Sequence, residues 1–346
     1  MRSLFRILPF VIGLFALAGC DLFSQQTDEY VLRGNTMGTS YTIKALHARG
    51  KVSDEELYND IKATLDEANE ALSNWKDESE ISIFNASSST NWVSTSSEFH
   101  EVLQEAQSIH ALSGGRFDIT VSPLVDLWGF GPADNENPPT DAQISDAMTN
   151  VGQTELLNVK SDPPMVRKNK PGVTITLGAI AKGYSADLIG RTLAKHGITN
   201  YLVEIGGDLM VHGLNSLGEP WQIGIEKPDE AGRSVQLVLP VRDMGIATSG
   251  DYRNFYFNDA GQRMSHIMDP LTGRPVTHNL ASVTVLAPDG MRADGMATAL
   301  LVLGEKDGRA LADKLDIPAY FIRREESGFV TSSSKAFDAL MAAQEK

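Results

Sequence analysis

Apolar residues recur at helical spacing at Leu57, Ile61, Leu65, Ala68 and Leu72. The spacing predicts an amphipathic helix over 53–73 with that stripe turned to the core. Ser53 is placed to cap it, and Glu56, three residues on, completes a capping box. A second helix is predicted over 98–112, stopped by Ser113-Gly114-Gly115, and a short one starts at Asp141. Ahead of these, Tyr30 to Leu46 reads as a β-hairpin bent at Gly34 through Gly38. From Leu156 the pattern turns to strands. Runs at 173–177, 201–205, 221–226, 235–239, 244–248, 255–257 and 282–286 are followed by late strands at 317–323 and 328–331. Helices are predicted over 182–196, 292–303 and 305–315. Strand runs mixed with long helices, without regular βαβ alternation or a fixed repeat, predict an α+β fold. The segment 134–140, rich in Pro, Asn and acids, reads as an exposed connection.

The 346 residues allow one large or two ordinary domains. A formal charge of −15 argues against a nucleic-acid partner. At the N-terminus, Arg2 and Arg6 form a positive region ahead of an apolar run, Ile7 to Ala18, that is too short to span a bilayer. It ends in Leu17-Ala18-Gly19-Cys20, which resembles the lipobox of bacterial lipoproteins. That resemblance implies cleavage after residue 19 and a lipid on the Cys20 sulfur. Asp21 in the next position implies retention at the periplasmic face of the inner membrane of a Gram-negative host. Cys20 is the only cysteine, so the mature fold has no disulfide and no cysteine nucleophile. The chain divides into a leader, 1–19, a polar tether, 20–29, and a folded part, 30–346.

Three clusters carry chemistry. Ser265 to Pro275 puts His266 three residues before Asp269-Pro270, a rigid polar turn, which suits a general base open to a cleft. Gly178 to Asp187 takes a strand through small residues into a helix start that attracts anions, with Lys182 adding charge. Asp294 and Thr298 stand four apart on one helix face, a carboxylate and a hydroxyl suited to a hard cation that completes its shell with phosphate. Each has a structural reading when taken alone: a turn-bonded histidine, close helix–strand packing, a helix cap. Together they point to phosphoryl transfer. No P-loop and no dinucleotide-binding glycine fingerprint is present.

The chain resembles the FAD:protein FMN transferases, the ApbE family of flavin transferases. The matching stretches include Thr36-Met37-Gly38-Thr39, Leu72-Ser73-Asn74-Trp75, Gly114 to Leu124, Leu127 to Gly131, Gly178 to Asp187, Val203 to Asp208, Ser249 to Tyr252, Ser265 to Pro275 and Ala293 to Thr298. The resemblance implies an ApbE-like, T-fold-related mixed sheet core with flanking helices over 30–346, in one unit or in two subdomains with the FAD site between them. It implies Mg²⁺-dependent transfer of FMN from FAD to a threonine or serine of an acceptor protein, with AMP released. Typical acceptors are subunits of membrane redox complexes. Met37, Trp75, Arg116, Phe117, Asp118, Lys182 and Met268 match flavin- or adenine-contacting positions. Thr176 stands where the family usually has an aspartate; its hydroxyl still hydrogen-bonds but lacks the charge. The Ala179 carbonyl, Asp294 and Thr298 match the metal site. His266 matches the base, with Asp269 to orient it. Two other uses of the same site stay open in the sequence: hydrolysis of FAD by water, and flavin binding without catalysis.

Overall fold

The computed structural model describes residues 27–48, 50–131, 138–229, 232–258 and 260–344. The leader, Cys20 and the first part of the tether lie outside the described residues, as does 134–137 of the expected acidic connection.

β1 (Thr27–Thr36) and β2 (Thr39–Ala48) form a hairpin closed by Met37-Gly38. Thr27 to Glu29, expected in the tether, pair with Leu46 to Ala48. Met37 and Gly38 have φ of 48° and 72°, the two-residue turn whose twist matches its strands. α1 (Asp54–Leu72) buries the predicted stripe, and Ser53 Oγ accepts the Glu56 N–H at 3.1 Å. The remaining principal elements are α2 (Ser97–Leu112), α3 (Ala181–Lys195), β3 (Asn200–Ile205), β4 (Asp208–His212), β5 (Trp221–Glu226), β6 (Val235–Val241), β7 (Met244–Gly250), β8 (Leu280–Ala287), α4 (Gly290–Lys314), β9 (Ala319–Glu325) and β10 (Gly328–Ser333). A helix at Glu80–Ala86, a strand pair at Leu157–Ser161 and Pro164–Lys168, and a last helix at Lys335–Gln344 complete the outline.

The main sheet runs β1-β2-β3-β4-β7-β8-β9-β10 with every neighbouring pair antiparallel. The α+β expectation therefore holds, with an antiparallel core. Its order repeats a unit that no sequence period announces: strand, strand, helix, strand, strand. The first copy is β1-β2-α3-β3-β4 and the second is β7-β8-α4-β9-β10, joined where β4 pairs β7. Both helices lie on one face. Ile43, Val203 and Ile205 pack on Ile189 and Leu193 of α3, and Val283, Val285 and Phe321 share a cluster with Met296 and Leu300 of α4. The β5–β6 hairpin covers part of the opposite face through Trp221, Ile223, Ile225 and Leu239.

Helices predicted over 292–303 and 305–315 are the two parts of α4, separated at Gly304, whose φ of 76° and ψ of 173° are not helical. One sequence expectation changes: the run 173–177 is not a strand. Val173, Ile175 and Leu177 are fully buried, but side-chain amides replace the ladder. The Ile175 N–H donates to Asn85 Oδ1 at 2.8 Å, and its carbonyl accepts from Asn74 and Asn85. The Leu177 N–H donates to Asn74 Oδ1 at 3.2 Å. Backbone polar groups buried this deeply need partners of some kind.

Candidate active site

α3 and α4 meet near their N-termini with no room for a side chain between them. A Cβ on Gly183 would lie 2.0 Å from the Gly290 carbonyl oxygen, so only glycine permits the approach. One turn further along α3, Asp187 accepts the Gly290 and Met291 N–H groups at 2.7 and 2.8 Å. This seam sets the Asp294 carboxylate on the Gly183 N–H at 3.1 Å.

Lys182 enters the same spot from the first turn of α3. Its Nζ is 2.8 Å from Asp208 Oδ2 and 3.4 Å from Asp294 Oδ2. Asp208 opens β4 directly after Gly206-Gly207 and faces Lys182 as an ion pair. Both aspartates are buried. One ammonium between two carboxylates leaves a surplus negative charge. Burial first, then the neighbouring Asp208 charge, push the Asp294 carboxyl above the usual carboxylate range. Burial pulls Lys182 down, but the two carboxylates outweigh it and hold the ammonium above the ordinary lysine value.

A cavity of about 1360 Å³ opens at this point, larger than the roughly 300–1,000 Å³ typical of drug-sized ligands. It is lined by Met37, Trp75, Arg116, Phe117, Asp118, Thr176, Ala179, Lys182, His266, Met268, Asp294 and Thr298. Twelve residues spread from the first hairpin to α4 thus share one wall system. Trp75 stands at the surface, 67% exposed, whereas Phe117 and Met268 are nearly enclosed. The Thr298 hydroxyl is 2.8 Å from that of Ser249 on β7.

His266 is oriented by the backbone. Its Nδ1 lies 3.1 Å from the Asn254 carbonyl oxygen. A carbonyl only accepts, so Nδ1 carries the proton and Nε2 of the neutral ring carries a lone pair. Burial pushes the imidazole below its ordinary pKa. Asp269 does not orient this ring, contrary to the sequence expectation, and is absent from the cavity wall. It pairs with Arg116 Nη1 at 3.1 Å and accepts the Leu271 N–H in its own turn. Asp118 lines the cavity, and its two carboxylate oxygens also accept the Thr120 and Gln153 N–H groups, both at 2.8 Å.

Among the described residues no three His, Cys, Asp or Glu side chains converge as a metal cluster. A cation here would be held by one carboxylate and neutral oxygens. Hard oxygen donors at a buried surplus negative charge fit Mg²⁺, which uses few protein ligands.

The family model named ApbE matches residues 37–321. The chain belongs to the ApbE family. It is 39% identical to the FAD:protein FMN transferase of Haemophilus influenzae across the full length of both chains. Against the protein of that name from Vibrio cholerae it is 41% identical over 95% of this chain and 97% of the other. Its fold overlays the flavin transferase ApbE of Vibrio cholerae with a TM-score of 0.83 at 38% identity, covering 91% of this chain and 99% of that one. The Pseudomonas stutzeri flavinyl transferase ApbE, in its apo form, gives the same TM-score at 38% identity over 92% and 98%.

Sequence reasoning missed Asp208, Asn254 and Ser249 as site residues. Asp208 was visible as the acid ending a strand-Gly-Gly motif, but nothing local tells that it shares a lysine with a residue on α4. Asn254 acts through its carbonyl and leaves no side-chain signal.

Proposed function

We propose that this chain transfers the FMN half of FAD to the hydroxyl of a threonine or serine in an acceptor protein and releases AMP. The observation carrying this is one cavity that holds a neutral imidazole with an available lone pair together with the Lys182–Asp294–Thr298 group. The acceptor oxygen attacks the FMN phosphorus and its proton passes to His266 Nε2. The bond from that phosphorus to the oxygen bridging to AMP breaks, and AMP leaves. Lys182 places positive charge beside the phosphates, and the wall from Met37 and Trp75 to Arg116 holds the ring systems. The Ala179 carbonyl, Asp294 and Thr298 would hold Mg²⁺. Bound there, Mg²⁺ would supply positive charge to neutralise the phosphates. Placement and charge neutralisation do most of the work in such transfers.

The leader and Cys20 place the protein, on this reading, at the periplasmic face of the inner membrane, where its acceptor is a membrane redox subunit. The test mixes the chain lacking residues 1–20 with FAD, Mg²⁺ and an acceptor domain carrying a threonine. In-gel flavin fluorescence and a mass gain of one FMN on the acceptor are expected. Free FMN and AMP with an unlabelled acceptor would make the chain an FAD hydrolase instead.

A further inference from the structure

His266 sits at the foot of a small hairpin, Phe255–Phe257 with Arg263–Ser265, that pairs with no other strand among the described residues. The foot closes on one atom. The Asn254 carbonyl oxygen accepts the His266 main-chain N–H at 3.2 Å and faces the ring Nδ1 at 3.1 Å. Whatever fixes Asn254 therefore fixes both the backbone and the ring of the base.

Asp251, in the same segment, is held from three sides. Arg324, near the end of β9, donates from Nη1 and Nη2 to its two carboxylate oxygens at 2.8 and 2.6 Å. The Asp251 N–H donates to the Ala281 carbonyl of β8 at 3.1 Å, where the register of β8 on β9 shifts between Leu280 and Ser282. Arg263, on the second strand of the hairpin, donates to the Asp251 carbonyl at 3.4 Å. β8 lies between β9 and β7, the strand that ends just before Asp251, so the Arg324 fork reaches across the end of β8. Asp251 is buried, and a two-bond guanidinium–carboxylate fork sets direction as well as distance. Tyr252, Arg253 and Asn254 line the cavity, whereas Asp251, Arg263 and Arg324 do not. The pair stands behind the wall.

We propose that Asp251 and Arg324 are positioning residues for the transfer: their fork ties the hairpin foot to the main sheet and, through the Asn254 carbonyl, aims His266 Nε2 at the acceptor hydroxyl. This deepens the transfer reading above, in which His266 takes the proton. The pair also brings charge near the ring. Lys182 of α3 lowers the imidazole pKa and Asp251 raises it. Arg263 and Arg324 both engage Asp251, Arg253 is paired with Glu226, and the uncharged Phe130 ring meets the imidazole edge-on. Geometry and charge can therefore be altered separately.

The test uses the full-length chain in detergent. Its histidine nitrogens are labelled for NMR, with His266→Ala to identify the His266 signals. Labelling rates are measured with FAD, Mg²⁺ and an acceptor domain carrying a threonine, well below the unfolding range of each variant. Arg324→Lys keeps the charge and loses the fork. Its ring is expected to titrate as in the native chain, with faster exchange of the Nδ1 proton. Its kcat should fall by about tenfold or more, with KM for FAD unchanged. Asp251→Asn keeps the shape and leaves the Arg324 charge unpaired, so its ring should titrate at lower pH, again with reduced kcat. Should Asp251→Asn fail to fold, Arg324→Lys decides alone. An unchanged kcat and Nδ1 proton in Arg324→Lys, a ring midpoint in Asp251→Asn that stays or rises, or a raised KM for FAD in place of the fall in kcat each overturns the positioning role. Absence of labelling by the native chain overturns the transfer reading instead, and the NMR signals still decide whether the pair holds the ring.

Discussion

At the scale of single residues, burial shifts two titrating groups of the site in opposite directions, lowering His266 and raising Asp294. Burial lowers the His266 pKa. The base must be neutral, and its folded pKa lies below the unfolded value, so the neutral form persists as pH falls through the ordinary histidine pKa of about 6.5. The acid limb of kcat/KM is therefore expected below that value. A limb above it would mean another group titrates. The same sign applies to folding: His266 contributes stability at and above its ordinary pKa and loses it as pH drops through the lowered one. His266→Ala should cut labelling by about 10²–10⁴-fold, the usual worth of a positioned base, far more than any shift of the thermal unfolding curve accounts for. Asp294→Ala separates function from stability more sharply. It removes the surplus charge and leaves Asp208 with Lys182 as a neutral pair. Labelling and Mg²⁺ binding by calorimetry should both be lost, while Tm changes little, because relief of the surplus charge offsets the Gly183 N–H left without its acceptor. Chelation of the native protein should likewise stop labelling until Mg²⁺ is restored.

At the scale of elements, the wall of the cavity hangs on asparagines as much as on ladders. Asn85 bonds the N–H and carbonyl of Ile175, and its own carbonyl accepts from the buried Lys168 ammonium at 3.1 Å. Asn85→Ala strands the Ile175 N–H, while the Ile175 carbonyl keeps Asn74 and Lys168 keeps the main-chain oxygen at 85; it should cost about 1–3 kcal/mol, read from urea unfolding. The sequence made 173–177 legible as buried and extended, because Val, Ile and Leu alternate there. It did not show the pairing, since the partners are amides about a hundred residues upstream. The α1 stripe and its Ser53 cap were legible because both are local; among the described residues the expected return bond from Glu56 is absent. The motifs of His266 and Asp294 pointed to one shared cleft, and both residues line the same cavity. The error at Asp269 came from reading proximity along the chain as contact. Its turn points the carboxylate to Arg116, and the imidazole takes its orientation from a main-chain oxygen that no side-chain pattern reveals.

At the scale of the whole molecule, two similar strand-strand-helix-strand-strand units share one sheet, and the reactive groups stand where their helices touch. If Cys20 carries the anchor, Cys20→Ser should leave the chain unlipidated and move it from the membrane to the soluble fraction, with transfer to a soluble acceptor domain unchanged. Gly183→Ala acts at the other end of the problem, because its methyl group meets the Gly290 carbonyl. Overpacking of this kind costs about 1–3 kcal/mol, and the expected Tm loss should come with a larger loss of labelling than the fall in stability explains. The reason is geometric. Lys182 belongs to one unit and Asp294 to the other, and both are fixed within a turn of the glycine contact. Neither unit produced alone would own a complete reaction centre, and warming that parts the helices by a fraction of an ångström silences the chemistry while both hydrophobic clusters are still intact.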